Sequence, residues 1–267
     1  MKTYAIILER SEERASYLQK HLNDIGLDYH KISAIDGRKL SREEIEKECN
    51  IEQVDKFRSW LSNGAIGCAA SHKLAYREFL KTNDETAFII EDDVILPKNI
   101  KKILSSVSQQ IKPNEVILLY YISLNPAKFS TTNKITLDDL KINVCFPMDI
   151  NQPMTTAAYM IGREAAAGLL KTNTPICVTA DTWSYFYEQN AFDSLKVLYP
   201  SPILTQNFKS SIDYLKPKSI LGLISEVVDK FKIPFVYQYL SNKRNNLLNK
   251  HLSHFSLTDE KSPLDKK

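Results

Sequence analysis

Continuous apolar runs of strand length recur along the chain, and between them apolar positions repeat at helical spacing. Tyr4 to Leu8 is the first such run and predicts a buried strand. Ser11 follows as a candidate N-cap, with Glu12 and Glu13 in the first turn, Ala15, Leu18 and Leu22 on one helical face, and Gly26 as a stop. A second short strand is predicted around Tyr29 to Ser33, and Ser41-x-x-Glu44 has the form of a capping box. Ala87 to Ile90 and Val116 to Ile122 are further apolar runs, separated by a helical stretch around Ile100 to Val107. Ala157 to Ile161, then Arg163 to Leu170, repeats strand and helix. This alternation predicts an α/β fold, a sheet covered by helices on both faces.

The pattern changes after Ser211. Ile220, Leu223, Ile224, Val227 and Phe231 share one face of a helix that Ser219 would cap and Pro234 would end, and a basic, Asn-rich stretch runs on to Leu252. The expected organisation is therefore an α/β domain over 1–213, a basic amphipathic helical extension over 214–252, and a polar, disordered tail over 253–267.

Composition narrows the function classes. With 43% hydrophobic and 25% charged residues, the 267-residue chain can bury a core. Its longest apolar run, Val116 to Ile122, is far short of the roughly 20 residues a spanning helix needs. Tyr4 to Leu8 gives way at once to Glu9, Arg10, Glu12, Glu13 and Arg14, unlike a signal peptide, so a cytoplasmic location is expected. Cys49, Cys68, Cys145 and Cys177 form no C-x-x-C pair and read as buried thiols. A net charge of +3 does not suggest nucleic acid as a partner, although 8 Lys/Arg against 3 Asp/Glu between Asn207 and His254 concentrate the basic character there. The 7 glycines build neither G-x-G-x-x-G nor a P-loop, so any nucleotide is held without a glycine-rich phosphate cradle.

Three constellations carry candidate chemistry. Glu91-Asp92-Asp93 ends an apolar strand, where adjacent carboxylates repel; a divalent cation would remove that cost, and hard oxygen ligands suit Mg²⁺ or Mn²⁺ bridging to a diphosphate. A solvated acidic turn is the alternative. Gly64, Gly67, Cys68, Ser71, His72 and Ala75 fall on one helical face of small side chains, which either packs tightly or admits a ligand to which Ser71 and His72 donate. Asp181 precedes Trp183, Tyr185, Phe186 and Tyr187; on a helix Asp181, Tyr185 and Glu188 would share a face, an arrangement suited to sugar or simply to a core. Arg10 with Arg14, and Asp36-Gly37, are weaker signs of a nucleotide site.

Together these residues resemble glycosyltransferase family 25, the lipopolysaccharide-type galactosyltransferases, over about Lys2 to Ile212. The resemblance is carried in order by Ile7-Leu8-Glu9-Arg10-Ser11, Ala34-Ile35-Asp36-Gly37, Gly64 to His72, Glu91-Asp92-Asp93, Tyr159-Met160-Ile161 with the helix after it, and Ser210-Ser211-Ile212. Ile7 stands where the family usually has Asn, and Ala65 where it has Glu. The resemblance implies a GT-A-like α/β fold and an inverting transfer from a UDP-sugar, galactose foremost, to a lipid-linked saccharide acceptor. It implies that Leu8, Arg10, Arg14, Asp36, Gly37, Ser71, His72, Glu91 and Asp92 bind the nucleotide sugar. Glu91 and Asp93 would hold Mn²⁺ or Mg²⁺, Asp181 would be the general base, and Trp183, Tyr185 and Glu188 would meet the acceptor. A metal-dependent nucleotidyltransferase or phosphohydrolase, or a non-catalytic carbohydrate-binding paralogue, are the competing readings. The basic extension, Lys216 to Lys250, would dock peripherally on the anionic cytoplasmic face of the inner membrane or pack on the catalytic domain.

Overall fold

The computed structural model describes residues 1–123, 125–206, 208 and 254–265. Along the chain run β1 (Lys2–Ile7), α1 (Glu12–Asp24), β2 (His30–Ser33), α2 (Arg42–Glu48), α3 (Ile51–Lys56), α4 (Asn63–Leu80), β3 (Thr86–Glu91) and β4 (Val94–Ile95). After them come α5 (Ile100–Ser108), β5 (Glu115–Leu118), β6 (Ala127–Leu137), β7 (Ile142–Pro147), β8 (Ala158–Gly162), α6 (Arg163–Thr172), α7 (Trp183–Glu188), β9 (Ser194–Tyr199), β10 (Leu204–Thr205) and β11 (Phe255–Thr258). The capping box forms as its spacing demands: Ser41 Oγ accepts from the Glu44 N–H at 3.1 Å, and the Glu44 carboxylate accepts from the Ser41 N–H at 2.8 Å. Ser11 stands at the N-cap of α1 without a side-chain cap.

Nine strands make one sheet in the order β11-β6-β7-β9-β5-β8-β3-β1-β2. The β1–β2, β1–β3, β5–β9 and β6–β11 pairs are parallel, and β8 runs antiparallel between β3 and β5, so the sheet is mixed. Strand alternation divides its side chains between two helical layers. Tyr4, Ile6, Ile89, Val116, Leu118, Tyr159 and Ile161 pack with Ala75, Tyr76 and Phe79 of α4, Leu169 of α6, and Trp183 and Phe186 of α7. Ala5, Ile7, Phe88, Ile90, Ile117 and Met160 pack on the other side with Leu18 and Leu22 of α1 and Ile103, Leu104 and Val107 of α5. A third cluster, with Ile45, Cys49, Val54, Leu61 and Ile176, ties α2 and α3 to α4.

Two expectations change. The apolar run from Val116 contributes a strand only as far as Leu118, because the Leu119 and Tyr120 N–H groups both turn onto the Ala158 carbonyl, at 3.0 and 3.1 Å. The tail expected to be disordered from 253 to 267 instead contributes β11, paired in parallel with β6. Phe255 anchors it, 4.9 Å from the Tyr121 ring and stacked 5.6 Å from Phe129, while Ser262, Leu264 and Asp265 are buried behind it. One aromatic, backbone bonds to an open sheet edge and side-chain hydrogen bonds from Ser130, Thr131, Thr132, Asn133 and Ser262 hold this segment, and none of these leaves a periodic signal in a polar stretch. The proposed extension over 214–252 lies outside the described residues.

Candidate active site

The C-terminal ends of β1, β2 and β3 are adjacent, and the loops that leave them meet the first half of α4. Leu8 follows β1, and its N–H donates to Asp92 Oδ2 at 3.1 Å. Asp36 follows β2; its Oδ1 accepts from the Arg38 N–H at 3.1 Å and its Oδ2 pairs with Arg10 Nε at 2.9 Å. The loop carrying Asp36 is pressed against α4 at van der Waals limits. A Cβ on Gly37 would lie 1.9 Å from the Asn63 carbonyl oxygen, and one on Gly67 would lie 2.6 Å from that of Ile35. Backbone, not ligand, thus fills the small-residue face of α4 around Gly67. Ser71 locks that contact: its Oγ accepts from the Ile35 N–H at 2.8 Å and donates to the Gly67 carbonyl at 2.6 Å.

The three acidic residues at the end of β3 take different partners. Glu91 Oε1 accepts from Thr156 Oγ1 at 2.7 Å and lies 3.4 Å from His72 Nε2. The other ring nitrogen, Nδ1, is 2.8 Å from the Tyr159 hydroxyl, which is 2.8 Å from that of Tyr76. Asp92 and Asp93 share Arg14, whose Nη2 is 2.5 Å from Asp92 Oδ1 and 2.8 Å from Asp93 Oδ2. The Arg14 guanidinium also lies over the Phe208 ring at 5.8 Å. The Asp93 backbone is pinned by β10, its carbonyl accepting from the Gln206 N–H at 2.7 Å.

Charge is unbalanced here. Burial raises the Asp92 carboxyl, with Arg14 and the Leu8 N–H opposing. Burial and the Glu91 charge push Asp93 up to about 7 against the pull of Arg14, and its Oδ1 is buried with no hydrogen-bond partner among the described residues. Burial also acts to raise Glu91, but hydrogen bonds from His72 and Thr156, together with nearby positive charge, hold it below the usual carboxylate range.

Leu8, Arg10, Arg14, Asp36, Gly37, Ser71, His72, Glu91 and Asp92 all line a single cleft, whose wall also includes Arg38, Gly64 and Cys68. Asp93 sits behind this wall, on Arg14. A larger open depression of about 750 Å³ lies at the opposite end of β1, around Met1, Tyr29 and Lys101, and holds none of these residues. Cys68, expected only as part of the small-residue face, and Tyr159, expected only as a strand residue, also belong to the polar network, together with Thr156, which nothing in the sequence singles out. Cys68 was detectable, since it lies one helical turn before His72.

The segment around Asp181 differs from its expected form. Helix α7 starts only at Trp183, so Asp181 is in the turn before it, its Oδ1 accepting from Thr179 Oγ1 at 2.8 Å. It is near enough to Cys68 that its charge, after burial and Glu91, helps to raise that thiol. Trp183 does not face an acceptor: it is 1% exposed and packs edge-on against Tyr159 and Phe192, because the first apolar position of so short a helix is drawn into the core. Tyr185 is half-buried and accepts from Cys177 Sγ at 3.3 Å, while Glu188 is exposed at the end of α7. The four cysteines are free thiols, with Cys49 and Cys145 buried.

Comparison with known proteins adds independent information. Residues 1–184 match the family model described as glycosyltransferase family 25 (LPS biosynthesis protein). A glycosyltransferase 25 family member of Aedes aegypti is 27% identical over 109 residues, 39% of this chain and 18% of that one. Procollagen galactosyltransferase 2 of Homo sapiens is 26% identical over 176 residues, 64% of this chain and 27% of that one. The chain thus spans about a quarter or less of these two relatives. A Haemophilus influenzae chain is 27% identical over 214 residues, 77% of this chain and 70% of its own length. Among solved structures, A197 from STIV aligns over 79% of this chain and 87% of that one, with 14% identity and a TM-score of 0.37. Among the described residues no helix is long and apolar enough to cross a membrane.

Proposed function

The chain belongs to glycosyltransferase family 25, and from that premise we propose that it transfers a sugar, galactose foremost, from a UDP-sugar to a saccharide acceptor of lipopolysaccharide or lipooligosaccharide. The observation that carries this reading is the cleft at the ends of β1, β2 and β3. It joins backbone and arginine donors to the Glu91 and Asp92 carboxylates, with Asp93 next to it on Arg14, without any glycine-rich phosphate loop. The family description and the name of the human relative support the acceptor class and the sugar respectively.

In this reading Leu8, Arg10, Asp36, Gly37 and Arg38 frame the nucleoside, and Arg14, Ser71, His72, Glu91 and Asp92 surround the diphosphate. The acidic set fits Mn²⁺ or Mg²⁺: Asp92 and Asp93 share one guanidinium beside Glu91, and the buried Asp93 Oδ1 has no partner among the described residues. Glu91 and Asp93 would hold the ion, which when bound supplies positive charge to the departing diphosphate. Asp181 removes the proton from the acceptor hydroxyl as its oxygen bonds to the anomeric carbon. The bond to the UDP oxygen breaks on the opposite face, so the configuration inverts. Tyr185 and Glu188 border the acceptor. A cytoplasmic enzyme whose basic 214–252 segment docks on the anionic face of the inner membrane completes the proposal, and its salt-dependent sedimentation with anionic liposomes tests that part.

The main test is a screen of UDP-sugars with Mn²⁺ and a lipooligosaccharide acceptor. The expected result is acceptor-dependent UDP release with a new glycosidic bond, abolished by EDTA. Release of phosphate or pyrophosphate instead would favour a nucleotidyltransferase or phosphohydrolase. Donor binding without turnover would favour a carbohydrate-binding paralogue.

A further inference from the structure

We propose that Cys68, His72 and Glu91 form a second metal site in the cleft, specific for a thiophilic divalent cation, Zn²⁺, and inhibitory when filled. One ligand atom from each residue lies within 4.8 Å of the other two, and all three line the cleft. Cys68 and His72 are one turn apart on α4, so the helix presents thiol and imidazole on the same face. Glu91 reaches them from the end of β3.

The surroundings are those that metal-binding side chains require. The Tyr159 hydroxyl, 2.8 Å from His72 Nδ1 and backed by Tyr76, takes one ring nitrogen and leaves Nε2 directed to Glu91. Thr156 fixes the carboxylate from the other side at 2.7 Å. A sulfur, a nitrogen and an oxygen with an open fourth position suit Zn²⁺, whereas the all-oxygen Glu91 and Asp93 pair suits Mn²⁺ or Mg²⁺. Zn²⁺ binding releases the Cys68 thiol proton to solvent and places a thiolate on the ion. Glu91 serves one ion at a time, so zinc excludes the ion proposed to accompany the donor. Binding at the three residues stands by itself; the inhibition rests on the transferase reading.

Co²⁺ is the probe, because a thiolate on cobalt gives a near-ultraviolet charge-transfer band independent of activity. The full chain should bind one Co²⁺ with this band, and Zn²⁺ should displace it. Cys68→Ser and Cys68→Ala should abolish the band, Tyr159→Phe should weaken Zn²⁺ binding by about 10- to 100-fold, and Cys177→Ser should leave it unchanged. Circular dichroism identifies variants that fold. Absence of the band in the wild-type chain, or its survival in both folded Cys68 variants, would overturn the site. Zinc that binds at Cys68 without inhibiting transfer would overturn only the inhibitory role.

Discussion

Acidic side chains at two places in the same sheet, one buried and one partly buried, are treated in opposite ways. Glu115 and Lys196, on neighbouring parallel strands β5 and β9, meet at 2.9 and 2.7 Å with side chains 6% and 7% exposed. The Lys112 N–H adds a third bond to Glu115 at 3.1 Å, and the Lys196 ammonium lies 5.3 Å from the Phe146 ring centroid. That pair is matched in charge and hydrogen bonding. In the Glu91-Asp92-Asp93 group, Glu91 has His72 and Thr156, Asp92 and Asp93 share one arginine, and among the described residues Asp93 Oδ1 has no hydrogen-bond partner. One buried acid is thus balanced within the sheet, whereas Asp92 and Asp93 at the end of β3 share a single arginine, a deficit of positive charge that the proposed ion would offset.

If that contrast separates stability from chemistry, mutations should separate too. The largest effect is expected at Asp181, in the turn before α7: Asp181→Asn should lower kcat by about 100- to 10,000-fold with the donor KM nearly unchanged, read from initial rates. A variant that loses donor binding instead would move the base to Glu188. Glu115→Ala should cost about 3–5 kcal/mol by denaturant titration, since it strands a buried ammonium. Asp93→Ala should do the reverse, lowering transfer by roughly 100- to 1,000-fold, the scale of a lost charge-stabilising group, while its melting temperature stays within a few degrees of wild type. If Asp93→Ala unfolds the chain, the contrast fails. The double substitution of Glu115→Leu with Lys196→Met should come close to neutral, because a matched buried pair and well-packed apolar groups are nearly equivalent.

The smallest effect concerns His21, whose Nε2 accepts from the Leu96 N–H at 2.8 Å. Burial holds its pKa below the ordinary value, with the Asp24 charge partly offsetting. The unfolded chain therefore binds the proton more tightly than the folded one. Stability from this residue is complete above the ordinary histidine pKa and is lost as the pH falls through that value toward the folded one. His21→Gln should flatten that part of a stability profile between pH 5 and pH 7.

Much of this was legible in the sequence where one residue type has one use. The capping box at Ser41, the strand-to-helix alternation and the close approach at Gly67 follow from local chemistry, and Leu8, Arg10, Asp36, Gly37, Glu91 and Asp92 of the cleft lie at or directly after the ends of predicted strands. What the sequence could not convey depends on partners far away. Arg14 spanning Asp92 and Asp93 requires α1 and β3 to be adjacent. The burial of Trp183 requires Tyr159 and Phe192 beneath it, although its aromatic neighbours and the preceding carboxylate looked equally suited to a sugar.

The strand β11 also has a consequence for how the chain is made. Its Thr258 carbonyl accepts from Thr131 Oγ1 across 127 positions of sequence, so among the described residues the outer edge of β6 gains its partner strand only when almost all of them have left the ribosome. During synthesis that edge is a row of open backbone donors and acceptors, available to any other nascent copy. Chains stopped before Phe255 should accumulate as aggregates even though every cleft residue has already been translated.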